Sequence, residues 1–129
     1  MTSKNINIIY SKKMSINKNT NIKNLNVNFV EANNENEFSS AINKAKNKYD
    51  LIILIPGQLS SYKNIINSIQ NNNIPIVYCS IDNADIHDKK NDVVKNLKYV
   101  IHGFKLKTTE ILLSSSLKII KYYGEENYN

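Results

Sequence analysis

Ile6, Ile8, Ile9 and Tyr10 form a short apolar run close to the N-terminus, which predicts a buried strand of a parallel sheet. Residues 12–24 are polar, with only Met14, Ile16 and Ile22 available to cover a sheet face, and predict at most a short helix. Leu25, Val27 and Phe29 then alternate with Asn26 and Asn28, the period of a strand wet on one side. Phe38, Ala41, Ile42 and Ala45 recur at helical spacing after Asn36, a candidate N-cap, and predict an amphipathic helix over 36–48. The unbroken run Leu51, Ile52, Ile53, Leu54, Ile55 suits only a strand covered on both faces, and Pro56-Gly57 ends it. Tyr62, Ile65, Ile66 and Ile69 mark a second helix from Ser60 or Ser61 to Gln70, closed by the turn Asn71-Asn72-Asn73. Residues 74–79 read as a fourth strand, and Val93, Val94 and Leu97 predict a loop followed by a helix near 88–97. Tyr99, Val100 and Ile101 predict a fifth strand. A long helix over 107–123 follows, with Gly124 as its stop signal.

Strands alternating with helices along the whole chain argue for one α/β domain over residues 1–124, followed by a polar tail at 125–129. The expected architecture is a doubly wound, five-stranded parallel sheet of flavodoxin-like type, order 2-1-3-4-5, with helices on both faces. That order puts the half-wet second strand at an edge and the wholly apolar third strand inside. It also directs attention to the carboxyl ends of strands one, three and four, where the strand order reverses.

Composition narrows the function classes. The net charge is +6 over 129 residues, yet all 17 basic residues are lysine and they are scattered. Without arginine the chain lacks the planar fork that reads bases and grips phosphate, so a specific nucleic-acid partner is not expected. The one cysteine, Cys79, rules out an intramolecular disulfide framework and any multi-cysteine metal site, and it suits a reducing cytoplasm. No signal-like segment and no long apolar span point to a membrane. With glycine only at Gly57, Gly103 and Gly124, no glycine-rich phosphate loop exists, and no cofactor is expected.

At the strand ends stand Tyr10, Ser11, Lys12 and Lys13, then Ile55, Pro56 and Gly57, then Cys79, Ser80 and Ile81, then His102, Gly103 and Phe104. Three stretches, YDLIILIPG ending at Gly57, NIPIVYCSI ending at Ile81 and KYVIHGF ending at Phe104, resemble the third, fourth and fifth strands of the response-regulator receiver family. That family carries a phosphoacceptor aspartate at the end of strand three, and acidic residues after strand one hold Mg²⁺. The resemblance puts Ile55 at the acceptor position and Tyr10 and Ser11 at the acidic ones. It keeps the switch hydroxyl as Ser80 and replaces the strand-five lysine by His102 and the following proline by Gly103. It implies a degenerate phosphorylation pocket and a signalling module that acts by protein–protein contact. The expected partner is another protein or a second copy, held on the face of helix four, strand five and helix five, where Tyr99, Phe104 and Lys107 lie.

A second resemblance leads to the IIB subunits of the lactose and cellobiose phosphotransferase type. Their reactive cysteine precedes a loop similar to Ser11-Lys12-Lys13-Met14-Ser15, but Tyr10 holds the cysteine's place. On this alternative the chain is a degenerate carrier or an enzyme using Cys79, Ser80 or His102. Catalysis at those residues would need an orienting acid and an oxyanion site, and the pattern predicts no acid beside them. Asp82, Asp85, Asp88 and Asp92, with His87, lack the spacing of a calcium loop and are read as turn and capping residues.

Overall fold

The computed structural model describes residues 3–14, 16, 18, 24–80, 84–97, 99–102 and 118–121. Four strands, β1 (Lys4–Ser11), β2 (Leu25–Ala32), β3 (Leu51–Ile55) and β4 (Ile76–Ser80), form an all-parallel sheet in the order β2-β1-β3-β4. Beyond β4 the short β5 (Tyr99–His102) pairs in parallel, with Val77 opposite Tyr99 and Ser80 opposite His102. Two helices, α1 (Glu35–Lys44) and α2 (Lys63–Gln70), a 3-10 turn at Val93–Asn96 and a helical segment at 118–121 complete the described elements. This mixed α/β arrangement is compatible with a flavodoxin-like fold.

Why each strand lies where it does follows from its side chains. Every residue of β3 is buried, as it must be for a strand flanked by β1 and β4 and covered on both faces. Alternation sorts the sheet into two layers. Ile9, Ile52, Leu54, Ile76 and Tyr78 pack with Phe38 and Ile42 of α1 and with Ile65 and Ile69 of α2. Ile6, Ile8, Tyr10, Leu51, Ile53, Ile55, Val77 and Cys79 form the opposite layer, against which Met14, Ile16, Ile119 and Ile120 pack. Each fully buried Ile or Leu contributes about 1.5–3 kcal/mol, so the two layers together are the main source of stability. β2 is an edge strand, and Asn26 and Asn28 on it remain exposed. Their carboxamides donate to Asn5 and Asn7 of β1 at 3.2 and 2.8 Å, pairing polar side chains across the strands.

The helices are fixed at their starts. The predicted N-cap is Asn36, whereas in the structure Asn34 caps α1: its Oδ1 accepts from the Glu37 N–H at 2.9 Å, and its Nδ2 donates back to the Glu37 carboxylate. Glu35 in the first turn of α1 serves the next helix, its carboxylate accepting from the backbone N–H of Asn64 at 3.0 Å. This places negative charge at the N-terminus of α2, whose own N-cap residue, Tyr62, makes no side-chain capping bond. The helix predicted near 88–97 is only a 3-10 turn at Val93–Asn96, because this polar stretch offers a helix few apolar anchors. The fourth strand runs to Ser80, one residue further than the pattern predicts. The predicted helix over 107–123 lies outside the described residues except at 118–121. Among the described residues, no helix is long and apolar enough to cross a membrane.

Candidate functional site

The carboxyl ends of β1, β3 and β4 lie side by side, as the parallel register requires, with Tyr10 opposite Ile55 and Leu54 opposite Tyr78. Chemically they divide into two parts. The first, at β1 and β3, is apolar at its centre. Ile55 is 1% exposed and Tyr10 7%, both within the layer formed by Ile53 and Cys79. Tyr10 meets Phe29 edge to face, with ring centroids 6.4 Å apart, and the ammonium of Lys18 stands 5.0 Å from its ring centre. Contact with Tyr10 also raises the Lys18 pKa above its ordinary value.

Around this centre the backbone turns sharply. The Ser11 carbonyl accepts from the Met14 N–H at 2.9 Å, and the Ser11 hydroxyl accepts from the Lys13 N–H at 3.3 Å. After β3, Gly57 adopts a left-handed φ of +64°, and Sδ of Met14 lies 3.1 Å from where a Cβ would stand. Tyr62 pins this loop: its hydroxyl accepts from the Leu59 N–H at 2.8 Å and donates to the Gly57 carbonyl. Burial pushes the Tyr62 phenol pKa upward. Between the two loops lies a cavity of about 250 Å³ lined by Ser11, Lys13, Met14, Pro56, Gly57 and Gln58. None of these six side chains is a carboxylate.

The second part, at β4, is polar and buried. Tyr78 and Ser80 project on the same face, and both hydroxyls donate to the carboxylate of Asp85, Ser80 at 2.5 Å. Asp85 is 0% exposed. Asn91, also buried, donates through Nδ2 to the Tyr78 hydroxyl at 2.8 Å and to the Asp85 carbonyl at 3.0 Å. Its Oδ1 accepts from the Val93 N–H and so ties in the 3-10 turn. Burial, and then the Asp85 charge, push the Tyr78 phenol far above its ordinary pKa. The Cys79 thiol, on the other face of the sheet, is pushed up to about 12, chiefly by desolvation. At neutral pH it is a thiol and a poor nucleophile.

Several sequence expectations change at this point. Asp85, read there as a turn or capping residue, is instead the acceptor at the centre of the buried network. Asp88 does keep a turn role, accepting from the Lys90 N–H at 3.0 Å, and Asp92 pairs with Lys95 at 3.5 Å on the surface. Asp82 lies outside the described residues. The register brings Tyr10 and Ile55 together, while Ser80 belongs to the polar network on the other face. Tyr99 and His102 have their backbone in β5, but their side chains, like the whole of Phe104 and Lys107, lie outside what is described. Tyr78, Asp85 and Asn91 were not marked by spacing or motif. Their one sequence signal is a tyrosine inside an apolar strand, whose hydroxyl must find a partner once buried. Among the described residues, no group of three or more His, Cys, Asp or Glu side chains is placed to hold a metal ion. No family model matches the chain, and a search of curated proteins finds no match.

Proposed function

We propose that the chain is a receiver-like module of doubly wound, five-stranded flavodoxin-like fold that acts by contact with a protein partner or a second copy, without phosphorylation and without catalysis. The observation that carries this reading is the buried Ile55 at the end of β3, beside Tyr10 at the end of β1. An isoleucine offers no oxygen to accept a phosphoryl group, and the hydroxyl and thioether groups nearby form a poor set for Mg²⁺, which favours carboxylates. The engagement of Ser80 supports the same reading. Ser80 stands where the receiver resemblance puts the switch hydroxyl, and here its proton is committed to Asp85. Asp85 is thereby tied to the end of β4, and on this reading the partner contacts the face expected from the sequence around Tyr99, Phe104 and Lys107.

The phosphotransferase-like alternative draws little support, because Cys79 is buried, protonated and on the face away from Ser80. The proposal is tested by incubating the protein with acetyl phosphate and Mg²⁺ and recording the intact mass, with sedimentation run in parallel over a range of concentrations. An unchanged mass together with a concentration-dependent dimer is expected. A stable, stoichiometric phosphoryl adduct overturns the proposal.

A further inference from the structure

Away from the strand ends, a second cavity of about 330 Å³ opens between α1 and the β1–β2 side of the sheet. Its walls combine Val30, Ala41, Ala45 and Tyr49 with the carboxamide of Asn7. Asn7 is 2% exposed. Its Oδ1 accepts from Nδ2 of Asn28 at 2.8 Å, but its own Nδ2 has no acceptor among the described residues. A buried amide donor left in that state is costly and is met in native proteins almost only where water or a ligand completes it. The size and the mixture of apolar wall with one or two polar groups are those of small-molecule sites.

The charges at the mouth give the ligand's character. α1 joins strands that run parallel, so it returns against them, and its ends lie over opposite ends of the sheet. Glu37 in its first turn therefore stands at one end of the cavity, with Lys44 in its last turn and Lys48 at the other. Along the helix axis Glu37 and Lys44 are separated by about 10 Å. An extended peptide of about three residues spans the same distance between its termini.

We propose that this cavity binds a short extended peptide with free termini. The ammonium faces Glu37, the carboxylate faces Lys44 and Lys48, and a backbone carbonyl accepts from Nδ2 of Asn7. This site is independent of the strand-end reading and stands or falls separately from it.

The test is a titration of ¹⁵N-labelled protein with trialanine, followed by amide and side-chain NMR shifts. Saturable shifts at the Asn7 carboxamide, Ala45 and Tyr49 are expected, and trialanine acetylated at one end and amidated at the other binds about tenfold or more weakly. Asn7→Asp, which keeps an acceptor for Asn28 but removes the donor, and Ala41→Leu, which fills the cavity from α1, both abolish the shifts. Should Asn7→Asp fail to fold, Ala41→Leu alone carries the test. The proposal is overturned by the absence of saturable shifts at millimolar trialanine, by shifts centred elsewhere, or by unchanged binding in a folded Ala41→Leu variant.

Discussion

The ends of β3 and β4 are neighbours in one sheet, yet they solve opposite problems. At β3 the chain ends in Ile55, sealed by apolar contacts with Tyr10 beside it. At β4 it ends in Ser80, and together with Tyr78 this brings two hydroxyls into the interior, where Asp85 and Asn91 satisfy them. A strand end can be buried either by leaving polar atoms out or by saturating them with partners, and this sheet does both within one strand spacing. The two solutions differ in how they fail, because an apolar plug tolerates no charge and a saturated network tolerates no deletion.

The sharpest way to break the contrast is to put a carboxylate into the apolar half. Ile55→Asp should destabilise the protein by about 4 kcal/mol in urea unfolding, since the group would be desolvated with no partner supplied. Burial raises the folded-state pKa of such an aspartate above its unfolded value of about 3.9. The protonated variant is therefore the more stable one, and its stability falls as pH rises from about 4 toward 7. A variant that unfolds at the parent's urea midpoint would mean that Ile55 is not sealed.

Deleting the acceptor from the polar half comes next in size. Asp85→Ala should cost about 3 kcal/mol by the same measurement, because the Tyr78 and Ser80 hydroxyls would both lose their acceptor. Tyr78→Phe removes one donor and leaves Ser80 paired, so it should cost only about 1 kcal/mol. Equal costs for the two substitutions would contradict a network centred on Asp85.

The fold was far more legible in the sequence than this contrast. Uninterrupted burial of Leu51–Ile55 and the alternation of Leu25, Val27 and Phe29 with asparagines follow directly from whether a strand is covered on two faces or one. The expected apolar end at Ile55 was readable for the same reason, since position within a strand and side-chain type are both local facts. Asp85 was not readable, because its role depends on tertiary contact with the Tyr78 and Ser80 hydroxyls, which no local pattern reports. The same kind of surprise affects the 88–97 segment: its apolar anchors suggested a helix, but Asn91 and Asp88 spend their side chains on turns that stop one from forming. Asn34 rather than Asn36 became the cap of α1 because Glu37 lies three residues beyond it and closes a reciprocal pair.

The two faces at β4 also predict an alkaline limit. The Cys79 thiol is held up to about 12 from an ordinary 9.0, and the Tyr78 phenol is raised above 10.0. For groups whose folded pKa is raised, the associated stability is fully present below the unfolded value and is lost as pH climbs toward the folded one. Unfolding free energy should be flat from pH 7 to 8 and lower by about 1 kcal/mol at pH 10, with Cys79→Ala removing part of that slope. In the native protein Cys79 should resist a thiol reagent at pH 8 and react only on unfolding. Rapid native-state labelling would place the thiol at the surface.

A smaller effect belongs to the loop that closes the apolar half. Gly57→Ala puts a Cβ at a left-handed φ and against Sδ of Met14, and should cost about 1 kcal/mol, since the flexible Met14 side chain borders the adjoining cavity. Adding Met14→Ala should recover the steric part of that cost but not the backbone part.

On the proposed reading, this sheet end does not accept a phosphoryl group and its loops do not respond to one. The most direct measurement is a pair of amide NMR spectra, recorded before and after acetyl phosphate and Mg²⁺ are added, read at Ser11, Ile55, Gly57, Ser80 and Asp85. The account predicts superimposable signals at all five. Concerted shifts at Ile55 and Ser80, accompanied by release of the Ser80 hydroxyl from Asp85, would contradict it.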